Sequence, residues 1–112
     1  MSTPTHEDAT ILLQVAQLMN SSGLNDQLTA LWADDFDPES ADPQAEAVRQ
    51  ALGMFELVGT LVKHNLLSRE LVSDWIWVEG IWGRVGPAAL RMRADTGVPR
   101  LYENFEALAT GA

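Results

Sequence analysis

At 112 residues, with 46% hydrophobic and 21% charged side chains, the chain has the composition of one globular domain, residues 1–112, able to bury about 65% of the surface its unfolded form exposes. It has no cysteine, which excludes disulfides, thiolate metal sites and a thiol nucleophile. Seven Lys and Arg against sixteen Asp and Glu give a formal charge of −9, which repels a phosphate backbone and argues against nucleic acid or an anionic membrane surface as a partner.

The first residues, MSTPTHEDAT, lack a basic region followed by an apolar run. No apolar stretch approaches the ~18 residues of a spanning helix. The expected location is the cytoplasm. Charge is uneven: Met1 to Ala47 holds nine acidic residues and no Lys or Arg, so all seven basic residues lie from Arg49 onward. That asymmetry is either ordinary solubility or an acidic half that meets a basic surface on a partner or a second copy.

Thr5-His6-Glu7-Asp8 has the form of a capping box, and Ile11, Leu12, Val15, Leu18 and Met19 then recur at helical spacing. A helix over about Glu7 to Asn20 follows, closed by Ser21-Ser22-Gly23. A second, short helix is expected with Asn25 as cap and Leu28, Leu31 and Trp32 on one face. The segment from Ala33 to Pro43 is acidic and twice interrupted by proline, so it reads as a loop, and Asp42-Pro43 reads as the next helix start. Val48, Ala51, Leu52, Phe55, Val58, Gly59 and Val62 then mark a central helix of about six turns. Met54, Leu57 and Leu61 widen its apolar arc.

Lys63 and His64 suit the carbonyl end of that helix, Asn65 suits a left-handed closing residue, and Ser68 can cap the next helix. The short link makes the flanking helices antiparallel neighbours. Val72, Trp75, Ile76, Glu79 and Trp82 share one face of the following helix. Gly80, Gly83, Gly86 and Pro87 predict a bend between Gly83 and Pro87. After a turn at Asp95 to Pro99, Leu101, Tyr102, Phe105 and Leu108 form a short terminal amphipathic helix. The expected fold is all-α, a compact bundle of five to six helices around an antiparallel central helix pair.

No constellation signals catalysis, and no catalytic residue, metal ligand set or cofactor is assigned. Asp35, Asp37, Glu39 and Glu46 fall on positions 1, 3, 5 and 12 of a calcium-loop frame, but Ser40 replaces its glycine and Pro38 and Pro43 restrict the backbone. His6 and His64 have no ligand partner at helical spacing. Glu79, between Trp75 and Trp82, is either a buried ion-pair partner of Arg84, Arg91 or Arg93, an edge position, or a ligand group. Gly80, Gly83 and Gly86 lie nearly in line, allowing another helix to approach from within the chain or across a dimer. Trp77 lies about 200° from Trp75 around a continuous helix, so one face cannot bury both.

Three segments, FELVGTLVKHNLLSRELV from Phe55 to Val72, Trp82-x-x-x-x-Pro87-x-x-x-x-Met92-Arg93, and LYENFEALA from Leu101 to Ala109, give the C-terminal two-thirds its resemblance to an uncharacterised family of small bacterial helical proteins known as a domain of unknown function. The resemblance implies an all-helical fold and supplies no activity. Some relatives look to have an N-terminal membrane segment, which this chain does not show.

Two functions fit the residues. One is a non-enzymatic interaction module, homo-oligomeric or bound to a protein partner through Trp77, Ile81 and Arg84. The other is a small-molecule-binding protein or enzyme whose pocket is lined by Trp75, Glu79, Trp82, Arg91 and Tyr102.

Overall fold

The computed structural model describes residues 3–111. It is all-α, as the apolar spacing requires, with six helices: α1 (His6–Ser21), α2 (Leu24–Ala30), α3 (Glu46–Lys63), α4 (Arg69–Trp75), α5 (Val78–Thr96) and α6 (Glu103–Thr110). No strand occurs among the described residues.

Side chains set several helix ends where the sequence puts them. The Thr5 hydroxyl accepts the Asp8 N–H at 3.1 Å while the Asp8 carboxylate accepts the Thr5 N–H at 2.7 Å, the reciprocal pair of a capping box. The other Asp8 oxygen accepts the N–H of Ser68 at 2.9 Å, so the residue that opens α1 also holds the start of α4. Ser68 caps α4 by accepting the Leu71 N–H. At the end of α3, Asn65 takes φ +60°, Leu66 N–H donates to the Leu61 carbonyl and Asn65 N–H to that of Val62, a Schellman closure.

Asp8 gives the fold an acid-sensitive point. The Thr5 backbone N–H, with the Thr5 hydroxyl and the Ser68 N–H, holds its carboxyl below the ordinary value of 3.8. A carboxyl whose folded pKa is depressed contributes stability that is complete above the unfolded pKa and is lost as pH falls through the folded one. In chemical denaturation, the stability gap between wild type and Asp8→Asn should therefore be constant near neutrality and close below pH 3.8. A gap that persists unchanged in acid would show that Asp8 is not held this way.

Two helix starts differ from expectation. Gly23, at φ +82°, reverses the chain and lets α2 begin at Leu24, leaving Asn25 exposed inside the helix rather than at its cap. The Asp42 carboxylate accepts the Gln44 N–H, and the Asp42 carbonyl accepts that of Ala45. This closes a separate turn, so α3 begins only at Glu46.

The larger difference lies in the tryptophan-rich stretch. In place of one helix bent between Gly83 and Pro87, α4 ends at Trp75, Ile76 is extended, and α5 runs unbroken through Gly83, Gly86 and Pro87. The break is an inverse γ-turn centred on Trp77 (φ −82°, ψ 79°), with the Val78 N–H donating to the Ile76 carbonyl at 3.0 Å. Such a turn needs neither glycine nor proline. Pro87 removes the donor to the carbonyl of Gly83, which is an exposed residue where water can serve instead.

The α3 helix, five turns long, is the centre of the molecule. All seven residues of its expected stripe are buried. Its most extensive partner is α6, followed by α2 and α5, while the break at Ile76 leaves only the seven-residue α4 directly after Asn65. Phe105 of α6 sits between Phe55 (ring centroids 5.4 Å apart) and Trp82 (4.9 Å, edge to face), joining α3, α5 and α6. Of the helical glycines, Gly59 makes the closest approach to another element: a Cβ there would lie 2.3 Å from the Asn104 carbonyl oxygen.

Candidate functional site

The γ-turn places Trp77 at the outside of an elbow between α4 and α5, with 67% of its surface exposed. Its indole lies against Gly80, where a Cβ would come within 2.3 Å of the ring. Trp82 uses Gly86 in the same way, while Gly83 faces open space. The line of glycines therefore makes room for two indoles of its own helix rather than for a second helix. The elbow also explains how the chain accommodates three tryptophans. Trp75 and Trp82, now on separate helices, are half-buried against the core, and only Trp77 faces outward.

The remaining residues singled out from the sequence divide. Ile81, one turn after Trp77, is buried in the core. Glu79 is exposed in the first turn of α5, where its charge suits the N-terminal end of the dipole; the break resets its register and removes it from a face shared with Trp75. Glu79 and Trp77 border a concavity of about 60 Å³ with Ser73, Ile76, Val78 and Leu108. Tyr102 is half-buried, in left-handed conformation (φ +60°), at the start of α6.

The arginines act on backbone. Arg84 Nε donates to the Leu31 carbonyl at 2.7 Å, and its guanidinium lies over the rings of Phe36 and Trp32. Arg91 donates to the carbonyls of Glu39 and Ala41, fixing the acidic loop to α5. Arg93 Nε donates to the Leu101 carbonyl and pairs with Glu106 at 3.1 Å. Arg69 donates to the Leu108 carbonyl in the last turn of α6. Sequence reading missed this pattern, because a carbonyl acceptor leaves no trace in the residue type.

A second concavity, missed entirely, is larger: an open groove of about 1400 Å³ between the start of α1, the α3–α4 corner and α6. Its lining includes Ile11, Leu66 and Leu108, with Glu7 on α1 and Glu70 and Asp74 on α4. In the acidic loop, Asp37 accepts bonds from the Glu39 N–H and the Ser40 hydroxyl. No group of three His, Asp or Glu side chains with metal-binding geometry occurs among the described residues.

A family model described as a domain of unknown function (DUF4760) matches residues 3–111. The chain belongs to this family. The match takes in all six helices, extending the resemblance first carried by Phe55 to Ala109 back through α1 and α2, so elbow, groove and arginine contacts all lie within the family's domain. No curated protein and no solved structure shows a significant match. Among the described residues no helix is long and apolar enough to cross a membrane.

Proposed function

We propose that this domain is a non-enzymatic protein–protein interaction module that self-associates through the elbow between α4 and α5. The observation that supports this reading is Trp77, exposed over 67% of its surface and already seated on Gly80. Tryptophan is enriched among the buried anchors of interfaces, and a ring ordered beforehand loses little freedom on binding. Of the other two residues singled out with it, Ile81 is buried in the core and Arg84 is half-exposed on its contact with Leu31, so Trp77 is the exposed anchor of the three.

Self-association brings together two chains of formal charge −9, so it should strengthen as salt screens their repulsion. Light scattering across a concentration series should report a dimer for the wild type and a monomer for Trp77→Ala, with unchanged helical circular dichroism. An unchanged mass would sink the proposal. A small-molecule site built on Trp75, Glu79, Trp82, Arg91 and Tyr102 has less support. Arg91 is engaged with loop carbonyls, and the concavity beside Glu79 holds only about 60 Å³, well below the 300–1,000 Å³ or so of small-molecule sites.

A further inference from the structure

The groove between α1, α4 and α6 adjoins the elbow, sharing Ser73 and Leu108 with the concavity beside Trp77, but Trp77 does not line it and it has its own chemistry. At about 1400 Å³ it is larger than the pockets that enclose metabolites. Its lining mixes apolar and polar groups, and among the apolar ones Leu66 has 55% of its surface open. Glu70 and Asp74 are four residues apart, hence neighbours on one face of α4, and Glu7 stands on α1.

None of these three carboxylates has an ion pair among the described residues, where the ion pairs are Arg93–Glu106 and Arg100–Glu103. The groove's own cations are mostly engaged. Arg100 is held by Glu103, and Arg69, though bonded to carbonyls of α6, keeps its charge as Lys63 does, so these two stand against Glu7, Asp8, Glu70 and Asp74. The surplus is negative, beside the apolar side chains of Ile11, Leu66 and Leu108.

We propose that this groove receives an amphipathic helix of a partner protein, whose lysine or arginine side chains meet Glu7, Glu70 and Asp74 while its apolar stripe lies on Ile11, Leu66 and Leu108. A helix satisfies its own backbone, whereas a peptide that binds by adding a β-strand would need a strand edge, and the described residues contain none. A second copy of this chain is a poor occupant. Its first 47 residues carry no Lys or Arg, and its arginines at 69, 84, 91, 93 and 100 are bound to carbonyls or to carboxylates of their own chain, which leaves Arg49 and Lys63, both on α3, against three carboxylates.

The probe is a synthetic helical peptide with leucine at i, i+3, i+4 and i+7 and lysine elsewhere, compared with its leucine–glutamate counterpart. Titration calorimetry and amide chemical-shift mapping read the result. The lysine peptide should bind, with shifts centred on the first turn of α1, α4 and the groove side of α6. Glu70→Lys with Asp74→Lys should weaken it about tenfold or more, and Leu66→Glu should weaken it as well. Asp34→Lys with Asp35→Lys, on the distant acidic loop, should change it about twofold or less. Trp77→Ala should leave it intact, which separates this proposal from self-association at the elbow. No binding, equal binding of the glutamate peptide, or equal weakening by the two charge-reversed pairs would overturn it.

Discussion

Replacing Glu56 with alanine should lower stability by about 2–4 kcal/mol, through the loss of charge-assisted hydrogen bonds and the stranding of a buried donor. The helix α6 has eight residues, too few to be stable alone, and its N-cap residue Tyr102 provides no side-chain acceptor. Glu56, from the middle of α3, supplies one. Its carboxylate accepts the Phe105 N–H at 2.9 Å and the Asn104 side-chain amide at 2.9 Å. Phe105 is fully buried, so its N–H has no solvent to turn to once the carboxylate is gone. Glu56→Gln keeps an acceptor without the charge and should lose about half as much. Urea denaturation measures both; coincident midpoints for wild type and Glu56→Ala would show that α6 is docked by other means.

Gly59→Ala should destabilise by about 1–3 kcal/mol, although alanine is the better helix former. The new Cβ would stand 2.3 Å from the Asn104 carbonyl oxygen and 2.5 Å from its carbon. Those are backbone atoms, which cannot rotate aside, so α6 must shift away from α3. Gly53, in the same helix, is exposed and has nothing within 4 Å of a built Cβ. Gly53→Ala should therefore stabilise by about 0.5–1 kcal/mol. Thermal melts of the two variants should move in opposite directions, and a gain from both would refute the close seating of α6. Because Glu56 and Gly59 both act on the first turn of α6, the double variant should lose less than the sum of the two.

Where a structural feature is carried by a local residue pattern, the sequence was enough to find it. Thr5 and Ser68 as caps, Asn65 as the left-handed closure and the seven buried positions from Val48 to Val62 are all of this kind. The elbow was not legible. A γ-turn at Trp77 uses no punctuating residue, and Gly83 and Pro87, which do punctuate, lie inside a continuous helix. The spacing of Val72, Trp75, Glu79 and Trp82 is compatible with one helix, and tertiary burial of Val72 in α4 and of Val78 and Ile81 in α5 accompanies a change of direction between them. The helix angle that singles out Trp77 in the sequence is one the structure does not use, yet Trp77 is the most exposed of the four tryptophans. The groove could not be read at all, because its walls come from three segments distant in the chain.

The arginine contacts on carbonyls give this acidic protein a particular response to its surroundings. Arg69, Arg84 and Arg91 are anchored on peptide dipoles, and Arg93 partly so. A peptide oxygen does not titrate, and a guanidinium keeps its charge throughout the range in which proteins work. These cross-ties join α5 to the loop after α2 and α4 to α6 without depending on any carboxylate. Acid that neutralises the sixteen carboxylates turns the net charge from negative to positive, with the seven Lys and Arg left unopposed, and leaves these ties in place. The surface can thus change its charge almost completely while these arginine ties do not register the change, unlike the contacts of Asp8 with Ser68 and of Glu56 with α6.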